Sequence, residues 1–157
     1  MSHSERDQIL ALIRKSGFPF EHLTHEPVFT SEQAASVRGA KLSEGVKAMC
    51  LQSNHGNFYL FCLPADRKID FAKAALLTNE LRLFLARPAE VLRMTNCEIG
   101  SVSPFSGALS GLPTVFDKRV AENESVEFNI GLHTDSVRMK SKDLLTLLEH
   151  RLGDFVQ

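Results

Sequence analysis

Two apolar runs, Val46 to Gln52 and Phe58 to Leu63, flank the stretch Ser53-Asn54-His55-Gly56-Asn57, and no other feature of the chain limits its fold as tightly. Each run has strand length. The residues between them either accept positive φ or bond their own backbone in turns, so the segment predicts a β-hairpin. Its near-continuous apolar character places the hairpin inside a larger sheet rather than on a wet surface.

The remaining segments supply the layers around that hairpin. Ser4 with Asp7 reads as a capping box, Ile9, Leu10 and Ile13 form a helical stripe, and Gly17 supplies a stop, predicting a helix from Ser4 to Ser16. Thr30 with Gln33 repeats the capping pattern for a shorter helix closed by Gly39. Asp70 caps a helix carrying Phe71, Ala74, Ala75 and Leu77. Leu81, Leu83 and Leu85 alternate as in a strand, and Pro88 opens a helix through Met94. Asn96 to Leu112 reads as a loop, followed by strands at Thr114 to Asp117, Val126 to Asn129 and Val137 to Met139. Ser141 caps a last amphipathic helix with Leu144, Leu145, Leu147, Leu148 and Leu152, ended by Gly153. Helices interspersed with short strands, without repeat or linker, predict a single mixed α/β domain over residues 1–157.

Composition removes several classes of function. With 157 residues, 43% hydrophobic and 24% charged, the chain can bury a core without disulfides or a structural metal. No run approaches the roughly 18 apolar residues of a membrane span, and the polar start lacks a secretory segment, so a cytoplasmic protein with no membrane partner is expected. The three cysteines, Cys50, Cys62 and Cys97, form no Cys-x-x-Cys pair and fit reduced, core-packed thiols. A net charge of −1 gives no general attraction to a nucleic-acid backbone, which excludes a DNA-coating domain and leaves only local contact with RNA. The small basic groups at Arg67-Lys68, at Lys118-Arg119 and along Arg138, Lys140 and Lys142 read equally as solvated surface.

No Gly-x-Ser-x-Gly elbow, Walker loop or dinucleotide fingerprint is present. His22 and His25 have a helical ligand spacing, but the Leu23-Thr24 and Glu26-Pro27 around them read as extended, so no metal is expected. Lys47 breaks the apolar run at the start of its strand. Either its stem is buried with the ammonium reaching water, or the cation sits in a cleft to hold a carbonyl, carboxylate or phosphate oxygen. Gly100-Ser101-Val102-Ser103-Pro104 could present backbone N–H groups to an oxyanion, or be an ordinary surface turn. Asn129 and His133, within Phe128 to Val137, could orient a substrate or serve turn chemistry. Asp66 and Asp117 are further candidates that equally fit local caps or pairs.

Taken in order, these segments resemble the YbaK-like aminoacyl-tRNA deacylases, which include the editing domain of bacterial prolyl-tRNA synthetase and its freestanding relatives. The likeness rests on Thr24-His25-Glu26-Pro27-Val28-Phe29-Thr30, Gly45-Val46-Lys47-Ala48, Leu63-Pro64-Ala65-Asp66, Pro88-Ala89-Glu90-Val91, Gly100 to Phe105, and Asn129-Ile130-Gly131 leading to Ser136-Val137. It implies an α/β fold with a central mixed, β-barrel-like sheet surrounded by helices. It also implies a trans-editing hydrolase acting on mischarged tRNA, with Lys47, Gly100 and Ser103 in catalytic positions. His25, Phe29, Ser101, Val102, Pro104, Asn129, Gly131 and His133 would bind substrate. The segment Val37 to Leu42 resembles the alanine- and serine-type branches. Ester hydrolysis by water needs no cofactor, and the implied partners are the tRNA acceptor end and, transiently, an aminoacyl-tRNA synthetase. A non-catalytic binding module and a small aminoacyl esterase without an RNA partner are the competing readings.

Overall fold

In the computed structural model, which describes residues 2–157, the hairpin forms the centre of a five-stranded sheet. Strands β2 (Val46–Ser53) and β3 (Phe58–Pro64) pair antiparallel from Val46↔Pro64 to Gln52↔Phe58. β4 (Leu83–Leu85) adds to β2 antiparallel, while β5 (Thr114–Asp117) and β8 (Arg151–Gly153) extend the other side in parallel, giving the order β4-β2-β3-β5-β8. A second, three-stranded antiparallel sheet has β7 (Asp135–Lys140) between β1 (Phe20–Thr24) and β6 (Ser125–Asn129). A parallel bridge between Gly45 and Glu127 joins the sheets. The mixed, barrel-like sheet expected from the family resemblance is present as two linked sheets that do not close into a full barrel.

The period-two geometry of β3 explains how one sheet serves two packed layers. Leu60 and Cys62 face a large core with Ile9, Ile13, Phe105, Phe116, Phe128 and Leu144, whereas Phe61 and Leu63 face a smaller one with Leu51, Ile69, Ala74 and Phe155. The two clusters share the hairpin between them, so they are two faces of one domain. Truncating a fully buried Leu60 to alanine costs about 2–5 kcal/mol in such a setting.

Helix α1 (Ser2–Ser16) lays Ile9, Leu10 and Ile13 into the large core. It begins before the expected cap, and Ser4 Oγ accepts a hydrogen bond from Gln8 Nε2 within the helix. For α2 (Ser31–Arg38) the expected capping box forms in full between Thr30 and Gln33, with Gly39 left-handed at its end. Asp70 Oδ1 accepts from the Ala72 and Lys73 N–H groups to start α3 (Phe71–Thr78), and Pro88 opens α4 (Pro88–Thr95).

Four sequence expectations need correction. Phe20 to Thr24, read only as partly extended, is an edge strand because β7 offers it a partner. The Leu81 strand shrinks to Leu83–Leu85, since β2 ends at Ser53 and leaves Leu81 nothing to pair with. The Asn96 to Leu112 loop contains α5 (Ser106–Ser110), and the last helix, α6 (Ser141–Leu147), stops well before Gly153. Beyond it the open edge of β5 recruits 151–153 as a strand, overriding the leucine pattern. Gly153 permits that approach, because a Cβ there would lie 2.6 Å from the Leu77 side chain.

Candidate active site

A cavity of about 280 Å³ opens where the two sheets meet. Its walls come from Val28 and Phe29, from Thr30, Ala34 and Arg38 of α2, from Val46 to Cys50 of β2, from Ala86 and Val91, and from the Ile99 to Val102 loop with Asn129. β4 pairs β2 only from Leu51 to Ser53, so Ala48 and Met49 have no strand on their second side. That bare backbone edge can donate to and accept from polar atoms of a ligand.

Lys47 belongs to this wall and is half-buried. Burial pulls its ammonium below the ordinary lysine value of 10.5, while Asp66 and Glu32 act against that and Lys68 reinforces it. Those neighbours act through charge, not by direct hydrogen bonds. A partly dehydrated cation, here one without a partner among the described residues, attracts a substrate oxygen more strongly than a solvated one. Cys50 also lines the cavity, but burial pushes its thiol up to about 11, so at neutral pH it is an uncharged thiol and a poor nucleophile.

The Gly100 loop departs from the surface turn that its local sequence favours. Ser101, Val102 and Ser103 are buried, because Phe105 is anchored in the large core and the Gly131 N–H bonds the Ser101 carbonyl at 3.1 Å. Gly100 has φ +86°, a left-handed conformation that suits glycine. The N–H groups of Ser101 and Ser103 are taken by the Glu98 carbonyl and Ser106 Oγ. Those of Gly100 and Val102 form no such bond among the described residues, and both residues line the cavity.

Of the residues singled out from sequence, the structure gathers Lys47, Phe29, Gly100, Val102 and Asn129 around the cavity. The others stand behind them. Ser103 is fully buried and its Oγ accepts from the Phe105 N–H, so it shapes the turn into α5 beside buried Pro104. His133 stacks on Phe29 at 4.5 Å between centroids and lies against Gly100, where a Cβ would meet its ring at 3.4 Å. His25 bonds Ser136 Oγ and the Glu26 carbonyl, both at 2.8 Å. Asp66 acts on Lys47 through charge, whereas Asp117 caps a turn at Arg119 and holds the Phe155 N–H.

Sequence reading missed Arg38, because a basic residue ending a helix is an ordinary complement to the helix dipole. It lines the cavity and lies largely buried, which lowers its guanidinium to about 10 against the opposing pull of Glu127. It also missed the small residues Ala34, Ala48 and Ala86, whose only signal is their size. Among the described residues no three His, Cys, Asp or Glu side chains group to hold a metal ion, and no helix is long and apolar enough to cross a membrane.

The fold and this cleft define a class. Residues 25–147 match the family model of the aminoacyl-tRNA editing domain, and the chain belongs to that family. It is 34% identical over 152 residues to the multifunctional Ser/Thr-tRNA deacylase ProXp-y of Escherichia coli K12, covering 94% of this chain and 90% of that protein. Its fold is similar to the hypothetical protein APE2540, with TM-score 0.86 and 22% identity over 95% of this chain and 99% of the other. It is also similar to a protein described as a candidate trans-editing enzyme for prolyl tRNA synthetase, with TM-score 0.81 and 24% identity over 98% and 97% of the two chains.

Proposed function

We propose that this protein hydrolyses the ester joining a small, wrongly attached amino acid to the 3′ end of a transfer RNA. The observation that carries the reading is Lys47, without an ion-pair or hydrogen-bond partner among the described residues, on the wall of a cavity of about 280 Å³ shared with the Gly100 loop. The named activity of the Escherichia coli relative supports serine or threonine as the amino acid, and the likeness of Val37 to Leu42 to the alanine- and serine-type branches adds alanine. The cavity also supports a small amino acid, since it falls just below the roughly 300–1,000 Å³ of common small-molecule sites.

In this reading water attacks the ester carbonyl and the carbonyl oxygen becomes an oxyanion. The Gly100 and Val102 N–H groups and the Lys47 ammonium stabilise that charge. The C–O bond to the ribose then breaks, the proton given up by the attacking water goes to the departing ribose oxygen, and free amino acid and uncharged tRNA leave. A neighbouring ribose hydroxyl orients the water. Losing one such donor costs about 3–4 kcal/mol of barrier, while Ser103, Pro104 and Gly131 hold the loop. Phe29 and His133 would meet the terminal nucleotide at the mouth, and His25 would support them from behind.

A separate editor is useful because one methylene separates substrates by only about 1–3 kcal/mol, too little for a synthetase to reject near-isosteres. The same reading places the protein in the cytoplasm, in transient association with a synthetase, as one editing domain spanning 1–157. The test is a deacylation panel of defined mischarged tRNAs beside the matching aminoacyl-adenosines. Rapid release of small amino acids from tRNA, with large aromatic ones spared, is expected. Binding without turnover would indicate a recognition module, and equal turnover of the aminoacyl-adenosines a general esterase.

A further inference from the structure

Arg38 grips two strands at once. Its Nη2 donates to Asn129 Oδ1 at 3.0 Å and its Nε to Ser136 Oγ at 2.9 Å. Asn129 and Ser136 are opposite each other, the last pair of β6 and β7 before the chain crosses between them. A second arginine steadies the arrangement: Arg138 donates through Nη2 to the Arg38 carbonyl at 2.7 Å and through Nε to buried Glu127 at 2.8 Å.

The consequence lies in which way round Asn129 must sit. An asparagine amide has a donor end and an acceptor end, whereas a guanidinium only donates. Arg38 therefore fixes the Asn129 oxygen toward itself and turns Nδ2 to the Gly100 carbonyl, which it meets at 2.8 Å. The reverse orientation would face donor to donor at one end and acceptor to acceptor at the other. Ser136 is ordered the same way. The Glu26 carbonyl facing His25 Nδ1 can only accept, so neutral His25 carries its proton on Nδ1, its Nε2 accepts from the Ser136 hydroxyl, and the Ser136 oxygen accepts from Arg38.

We propose that Arg38 is the positioning residue of this site, acting through Asn129 to clamp the Gly100 carbonyl and so fix the left-handed backbone at Gly100 that directs the N–H of the preceding peptide to the reacting carbonyl. This rests on the deacylase reading above. Arg38 needs no contact with the reacting atoms, because a displacement of the loop by about 1 Å lowers turnover about 100-fold. Lysine cannot replace it, having a single nitrogen where two separated donors are required.

The test is a cycle of Arg38→Lys, Asn129→Ala and the double variant. Steady-state deacylation, thermal melting and 15N NMR of the Asn129 side-chain amide, the His25 ring and the Gly100–Ser101 backbone are measured on each. Arg38→Lys should fold, keep KM within about twofold and lose about 10- to 100-fold in kcat. The double variant should be no slower than Asn129→Ala, since both act along one path. A merely structural arginine gives losses that multiply, and that result, or an unchanged kcat in folded Arg38→Lys, overturns the proposal.

Asn129→Asp covers the case of an unfolded lysine variant. It can still accept from Arg38 but cannot donate to the Gly100 carbonyl, so it should stay folded and lose kcat to the same degree; retained kcat overturns the proposal. Should wild type release no amino acid, the deacylase reading fails and the spectra alone decide. In Arg38→Lys, or in Asn129→Asp if the former does not fold, displaced Gly100–Ser101 resonances support the holding role, and unshifted ones refute it.

Discussion

Gly100→Ala separates backbone strain from chemistry, because Gly17 provides a matched control. Both glycines are left-handed, at φ +86° and +79°, but a Cβ at Gly17 meets nothing within 4 Å, whereas at Gly100 it lies 3.4 Å from His133 Cε1. The left-handed conformation costs an alanine about 1–2 kcal/mol, partly offset by about 0.4–1 kcal/mol from a less flexible unfolded chain. Each variant should therefore lose about 1 kcal/mol, a melting shift of about 2–4 °C for a chain of this size. The contact with His133 is ordinary packing, so what shifts the Gly100 backbone is the resistance of alanine to φ +86°. That shift moves the N–H proposed to meet the oxyanion, a donor whose loss costs about 100-fold or more in rate. Single-turnover hydrolysis of seryl-tRNA and melting curves on both variants read the two effects separately. Equal melting shifts with a deacylation loss confined to Gly100→Ala are expected, and full activity in folded Gly100→Ala would refute the role given to this loop.

Other perturbations reach different parts of the account. If the charged form of Lys47 is required, deacylation corrected for spontaneous ester hydrolysis should fall as pH rises through its lowered pKa, setting in below the ordinary 10.5, and Lys47→Ala should lack this limb. Glu80 accepts from Tyr59, Asn57 and His55, which holds its carboxyl at about 2 instead of the ordinary 4.5. Its contribution is thus present above pH 4.5 and lost as pH falls toward 2, so the melting-temperature gap between wild type and Glu80→Gln should close over that interval. Because the proposed attack uses water and protein donors alone, exhaustive chelation should leave turnover unchanged, and a loss restored by a divalent ion would reject the metal-free chemistry.

Much of this was legible in local pattern. The hairpin, the Thr30 and Asp70 caps and the Pro88 start follow from turn and capping chemistry within a few residues, and each appears where sequence places it. What failed depended on distant partners. β1 exists because β7 is beside it, and β8 because β5 leaves an edge, neither of which periodicity can express. The site divides similarly. Lys47 was visible as a charge in an apolar strand and Gly100 as a glycine in a proline-bounded loop. Arg38 was hidden because its partners Asn129 and Ser136 lie 91 and 98 residues away in sequence. Ser103 was read as a backbone N–H donor of the loop, and its N–H is held by Ser106 Oγ, a partner three residues on that the motif does not announce.

The account turns on whether the Lys47 ammonium is chemical or merely placed there. Single-turnover release of serine from mischarged tRNA by wild type, Lys47→Ala and Lys47→Arg, each checked by circular dichroism and melting, addresses this directly. A half-buried lysine with no direct partner among the described residues can be removed with little loss of stability, so both variants should remain folded. Alanine should remove most of the activity, and arginine should restore little, because its broad planar head does not occupy the place of a compact ammonium. Near-wild-type release by a well-folded Lys47→Ala would contradict the mechanism.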